Sequence, residues 1–287
     1  MPVSDQELTS LAATHDIISV GMLADDVRRR HHGLTTTFVR VADVPADIGA
    51  PVSIPAAAGE VRIVGTPTTR MAAVERVREV AAVAAGASSA ALSAYSLSDL
   101  EQLAASEAVT LRALLEELRA AGLELVAEAP VDRLRDARRS VEEVNIAGLV
   151  LARLTVDQAP SADPLPFLKS VAELQRAVGV LRVFAPLPRR INPAVPTTGY
   201  DDVKRVALAR IVVDAVPSIQ VDWARYGPKL AQVALTMGAD DVDGVSADDD
   251  ASGEGRRRSP LEEIRRNIRA AGLEPVERNG RFDVVTR

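Results

Sequence analysis

The chain of 287 residues contains no cysteine. That absence removes disulfides, thiolate nucleophiles and every Cys-ligated zinc or iron–sulfur centre. Histidine is scarce as well. All three lie within the first 32 positions, two of them adjacent at His31 and His32, so a His-rich metal site or a Ser–His–Asp grouping finds no support. Aromatic residues make up only 3% of the chain, and the core has to be assembled from Ala, Val, Leu and Ile. No stretch approaches the ~20 uncharged apolar residues of a membrane span, and the opening MPVSDQELTSLAATHD lacks a basic segment followed by an apolar run. The reading is a cytoplasmic protein that does not engage a membrane. The net charge of −6 and pI near 5.3 disfavour nucleic acid, whose binding depends on neutralising phosphates with Lys and Arg.

What remains is a 47% hydrophobic chain, long enough to bury a sizeable core without covalent staples. Apolar runs and helical periods alternate along it. Strands are expected at 36–43, 60–65, 88–95, 123–130, 147–156, 181–188, 218–226 and, more weakly, 240–247. Helices are expected at 5–32, 69–85, 96–106, 110–121, 132–145, 164–178, 201–214, 228–237 and 260–271, before a short extended pair closes the chain. Strands separated by helices imply a parallel sheet, because a parallel connection needs a crossover. Eight such steps in about 250 residues fit one (β/α)8 barrel spanning 1–287, with residues 1–34 as a helical lead-in and 248–259 as a flexible loop. An open doubly wound sheet is the alternative, although its GxGxxG signature after the first strand is absent.

The stretch IQVDWARYGPKLAQVALTMGADDVDG (219–244) resembles the closing third of the radical S-adenosylmethionine enzymes of the futalosine route to menaquinone, which are related to the FO synthases. ADDVRRRHHG (24–33) resembles the family's lead-in helix. EVRIVG (60–65) stands where the family has its second-strand glycine motif. LRALLEELRAAGLELVAEAP (111–130) and SPLEEIRRNIRAAGLEPVERNGRFDVV (259–285) resemble its fourth β/α step and its closing tail. The resemblance implies a radical-enzyme (β/α)8 barrel, in agreement with the independent strand count. It also implies a CxxxCxxC loop after the first strand, holding a [4Fe–4S] cluster that binds S-adenosylmethionine. Here that region reads VADVPADIGAPVSIPAAAGE (41–60), with no sulfur donor. The paired glycines of the second strand are reduced to Gly65, a remnant of cofactor binding; the family's glycine-rich segment before an acidic residue near the fourth is reduced too, and Glu128 reads as the survivor of that acidic position. No cluster is expected, and these losses leave S-adenosylmethionine binding in doubt.

Charged residues in otherwise apolar strands are costly unless paired or functional. Glu128, Arg153, Asp157 and Arg189 fall at the ends of strands four to six. Asp222, Trp223 and Arg225 fall along strand seven, and Asp240 and Asp241 open strand eight. Either they pair inside the barrel, Arg153 with Glu128 for instance, or they form a pocket for an anionic aromatic or nucleoside-like ligand, which Arg suits by its bidentate geometry. Trp223 reads as core or as a stacking wall. Lys229 after Gly227-Pro228 is ordinary helix entry, and His31-His32 a solvated helix end. Two kinds of function follow. One is a non-catalytic paralogue that binds a pathway compound, pairs with a cysteine-bearing radical enzyme, or forms a homodimer. The other is a polar enzyme acting on a futalosine-like compound or chorismate-derived carboxylate, with Glu128 or Asp157 as general base.

Overall fold

The computed structural model describes residues 4–87, 90–158, 163–190, 193–194, 196–248 and 259–285. Two helices lead in, α1 (Asp5–Ala13) and α2 (Ile17–His32). The sequence pattern suggested a single helix here. The chain breaks instead at Thr14–Asp16, where the Asp16 side chain accepts the Ser19 N–H and starts α2 afresh. The barrel follows as β1 (Thr35–Pro45), β2 (Glu60–Val64), α3 (Arg70–Ala87), β3 (Ala91–Ser96), α4 (Leu97–Ser106), α5 (Leu111–Ala120), β4 (Leu125–Pro130), α6 (Ala137–Ile146), β5 (Val150–Leu151), β6 (Leu154–Val156), α7 (Leu165–Val178), β7 (Val183–Pro188), α8 (Gly199–Val212), β8 (Ser218–Asp222), α9 (Trp223–Thr236) and β9 (Asp241–Ser246). The chain ends with α10 (Pro260–Ala270) and β10 (Glu274–Arg278).

All the barrel pairings are parallel, and β9 pairs back onto β1, closing the sheet. The short β5 and β6 together supply the fifth of eight staves, both pairing β4. The expected (β/α)8 barrel is therefore the fold. Strand β10 is also parallel to β1, pairing its first half (Thr35 to Val39) while β2 pairs its second half (Val41 to Pro45). It extends the barrel at the N-terminal ends of the strands. Among the described residues, those after β10 make one isolated antiparallel bridge, Arg278 to Val284. Most of the loop expected at 248–259 lies outside the described residues. No helix among those described is long and apolar enough to cross a membrane.

The outward faces of the strands and the inner faces of the helices form one continuous apolar core, in which Val20 and Ala24 of α2, Ala207 and Leu208 of α8, and Ile219 of β8 are fully or almost fully buried. Small side chains such as Ala24 and Ala207 let α2 pack against α8. Helix starts are fixed locally: Ser259 with Glu262, and Thr198 with Asp201, make reciprocal capping boxes.

Candidate functional site

The barrel lumen is unusual in what fills it. Branched apolar layers are the common solution; here charged side chains occupy successive levels. At the N-terminal end, Asp241 accepts from Arg278 Nε and Nη2 at 2.7 and 2.6 Å, Gln220 Nε2 at 2.6 Å and Thr37 Oγ1 at 2.5 Å. Midway, two carboxylates and two guanidiniums alternate in a closed ring. Arg153 Nη2 donates to both oxygens of Glu60 at 2.9 and 3.1 Å, and its Nη1 to Asp243 at 2.5 Å. Arg62 donates to Glu60 at 2.9 Å and to Asp243 at 2.7 Å. Ser93 adds a hydroxyl to Glu60 at 2.6 Å. Above these, Arg189 bridges Glu128 at 3.0 Å and Asp222 at 2.5 Å. Of the 34 basic residues in the chain only three are Lys, and every cation of this lumen is Arg, whose planar fork satisfies two carboxylates at once.

The period-2 alternation of strands puts these groups on one face. Glu60 and Arg62 are two apart on β2, and Asp241 and Asp243 two apart on β9. Burial by itself would raise the Glu60 carboxyl, but the charges of Arg153 and Arg62 overcome it and hold the group down at about 2. Asp243 is likewise held far below the usual carboxylate range by the same two cations.

Over the ring, a cavity of about 570 Å³ opens at the C-terminal ends of the strands, the face on which barrels of this architecture carry their sites. Its wall includes Asp43, Arg62, Gly65, Tyr95, Asp99, Glu128, Arg153, Arg189, Asp222 and Arg225. Asp43, near the end of β1, has no hydrogen-bond or ion-pair partner among the described residues. It is open to the water of the cavity, yet the protein around it and the nearby Asp243 and Glu60 charges push its carboxyl upward, with Arg62 and Arg153 opposing. Tyr95 is buried with φ +58, in the left-handed region that a bulky residue rarely adopts. Its hydroxyl turns out of the cavity to donate to the Ala73 carbonyl at 3.2 Å, and burial raises it to about 12. Gly244 has φ +72, and a Cβ there would lie 3.0 Å from Asp222 Oδ1 and 3.2 Å from Ala224 Cβ. Only glycine lets β9 pass so near the start of α9.

Of the residues singled out from sequence, the structure brings Glu128, Arg153, Arg189, Asp222, Arg225 and Gly65 together on this wall. The rest lie elsewhere. Asp157 turns aside to form a two-pronged pair with Arg190. Asp240 and Asp241 sit at the opposite end of the barrel, where Asp240 pairs with Arg210 and accepts the Ile219 N–H at 2.9 Å. Trp223 and Arg225 are not on the seventh strand. Asp222 accepts the Arg225 N–H at 2.9 Å and caps α9, so the strand ends there and Trp223 is half-buried in the first helical turn, off the cavity wall. The pairing of Arg153 with Glu128 does not form; Glu128 belongs to Arg189. Sequence reading missed Asp43, Glu60, Arg62, Tyr95, Asp99 and Asp243. The alternating charges of EVRIV and DVD were the available signal.

The loop after β1 is held by protein. Arg76 of α3, whose side chain is fully buried, donates to the carbonyls of Pro45 at 2.9 Å and Ala50 at 3.1 Å, and Val52 and Ile54 pack onto the core. Asp47 is the one ionisable side chain between residues 46 and 59. Thiolates are the donors that hold an iron–sulfur cluster, and this donor set does not fit one.

A closed parallel barrel with a polar cavity at its C-terminal mouth is an architecture that many different enzymes share. The crystal structure of methylornithine synthase (PylB) superimposes with a TM-score of 0.66 over 96% of this chain and 94% of that one, at 12% identity, a likeness of fold alone. Residues 186–287 match the family model described as the CofH/MqnC C-terminal region. Aminodeoxyfutalosine synthase of Streptomyces coelicolor is 38% identical over 96 residues, 31% of this chain and 24% of that protein. The cyclic dehypoxanthine futalosine synthase of the same organism is 26% identical over 205 residues, 63% of this chain and 51% of that protein. Over these stretches the chain is similar to futalosine-pathway enzymes, and it contains no cysteine. The matched stretches span a quarter to a half of those relatives' own length.

Proposed function

We propose that this protein keeps the barrel and its mouth cavity as a ligand-binding site beside menaquinone biosynthesis and has given up radical chemistry. One observation carries the reading: the loop that should present three thiolates offers none and is fastened by Arg76 and apolar packing. Without a cluster there is no electron source at the cavity to cleave S-adenosylmethionine. The test is anaerobic. The purified chain, treated with iron and sulfide and then with S-adenosylmethionine and a strong reductant, is expected to remain colourless and to form no 5′-deoxyadenosine. A brown protein that makes 5′-deoxyadenosine at a rate proportional to its concentration would end the proposal.

A second reading, polar catalysis in the same cavity, draws on Asp43 alone. It is the one wall carboxylate with no protein partner and an upward-shifted proton affinity, as a general base needs. Glu128 and Asp157, the candidates the sequence offered, are both tied up by arginines. Turnover that is lost in D43N, with binding retained, would favour this reading over a purely binding protein.

A further inference from the structure

The charges of the cavity are out of balance, and the imbalance selects a ligand. Arg62 and Arg153 each serve both Glu60 and Asp243. Arg189 serves Glu128 and Asp222, and Arg225 donates to the Arg189 carbonyl at 2.8 Å while lying 3.7 Å from Asp222. Arg62, Arg153 and Arg189 are therefore each neutralised by two carboxylates of the protein itself. The Tyr95 hydroxyl points away, and Thr66 on the rim spends its hydroxyl on Asp99 at 2.8 Å. The carboxylate oxygens that no protein donor claims are the whole Asp43 carboxylate, Oε1 of Glu128 and Oδ1 of Asp99, while the one buried guanidinium nitrogen of the wall without a partner is Arg153 Nε. Six carboxylates in and just beneath the wall face four guanidiniums, so the concavity carries an excess of negative charge that its low-dielectric walls focus.

We infer that the cavity is built for a ligand presenting a cationic N–H donor, an ammonium group above all, which docks on Asp43, and that it disfavours a ligand led by a carboxylate. This rests on the reading of the cavity as a ligand site and narrows it. At Arg62, Arg153 or Arg189 an incoming carboxylate would meet a guanidinium already neutralised and would have to displace an internal partner, leaving that partner's charge unpaired. An ammonium meets an accessible carboxylate that no protein donor has claimed, and a charge-assisted hydrogen bond follows without rearrangement.

The experiment uses the full chain at low ionic strength and two probes that share a ring and differ in the charged end, tyramine and 4-hydroxyphenylacetate. Trp223, the only tryptophan, adjoins the wall residues Asp222 and Ala224 and reports by fluorescence. Tyramine is expected to give a saturable change that 4-hydroxyphenylacetate does not give over the same concentration range. D43N should weaken tyramine about tenfold, the loss of one charge-assisted contact. It should melt within a degree or two of the parent, since Asp43 has no protein partner to lose. Equal or tighter binding of the carboxylate, or tyramine binding indifferent to D43N, overturns the inference. If the carboxylate alone binds, and R189M abolishes it, the ligand-site reading survives while the cationic class falls. If neither probe binds up to its solubility, both are refuted.

Discussion

Replacing Arg153 by methionine is the sharpest test of how the lumen is held together. Arg153 is 3% exposed and is the largest attraction felt by both Glu60 and Asp243. The carboxyl of Glu60 stands at 4.5 without the fold and about 2 within it. At about 1.36 kcal/mol per unit, its ionisation stabilises the native state by roughly 3 kcal/mol near neutrality. Because the folded value is the lower one, that contribution is complete above about 4.5 and disappears as the pH falls toward 2. Methionine at position 153 leaves Arg62 to serve two buried carboxylates and lets the Glu60 carboxyl rise. Breaking a buried pair from one side costs about 3–5 kcal/mol, in line with the ionisation figure. Urea unfolding of parent and R153M should differ by roughly that amount at pH 7, and by clearly less at pH 3, where the parent has lost much of its own ionic contribution. The double variant E60M/R153M keeps the Arg62–Asp243 pair balanced and should recover most of the deficit. A deficit below about 1 kcal/mol at pH 7, or one unchanged between the two pH values, would refute the claim that the ring acts as a charge-balanced unit.

Two further consequences concern the cavity rim. R76M removes two guanidinium bonds to the carbonyls of Pro45 and Ala50 and should cost about 2–4 kcal/mol. Limited proteolysis within residues 46–59 should speed up about tenfold, whereas an unchanged cleavage rate would mean that apolar packing alone secures the loop. G244A forces a side chain into the left-handed region and against Asp222 and Ala224, and should lose about 1–3 kcal/mol in thermal unfolding while shifting Trp223 fluorescence. A variant as stable as the parent would show that the start of α9 can move aside.

The sequence by itself determined the alternation of strands and helices, hence the parallel barrel, and the absence of any thiolate to hold a cluster. Both are local properties, one of hydrophobic period and turn residues, the other of side-chain chemistry. Half-right elements show where local information stops. Residues 218–226 carry a strand-like run, yet β8 ends at Asp222, because that carboxylate caps the next helix. The charges were legible as misplaced in apolar strands, and five of the eight charged residues chosen on that basis do meet at the cavity. Their partners were not legible. Arg153 lies 93 residues from Glu60 and 90 from Asp243, and those carboxylates outcompete Glu128, the partner the sequence offered. Closure of the barrel decided that, by bringing β2, β9 and the fifth stave to face one another across the lumen. It also left Asp43 without a protein cation of its own, because the nearby guanidiniums of Arg62 and Arg153 are both engaged by Glu60 and Asp243.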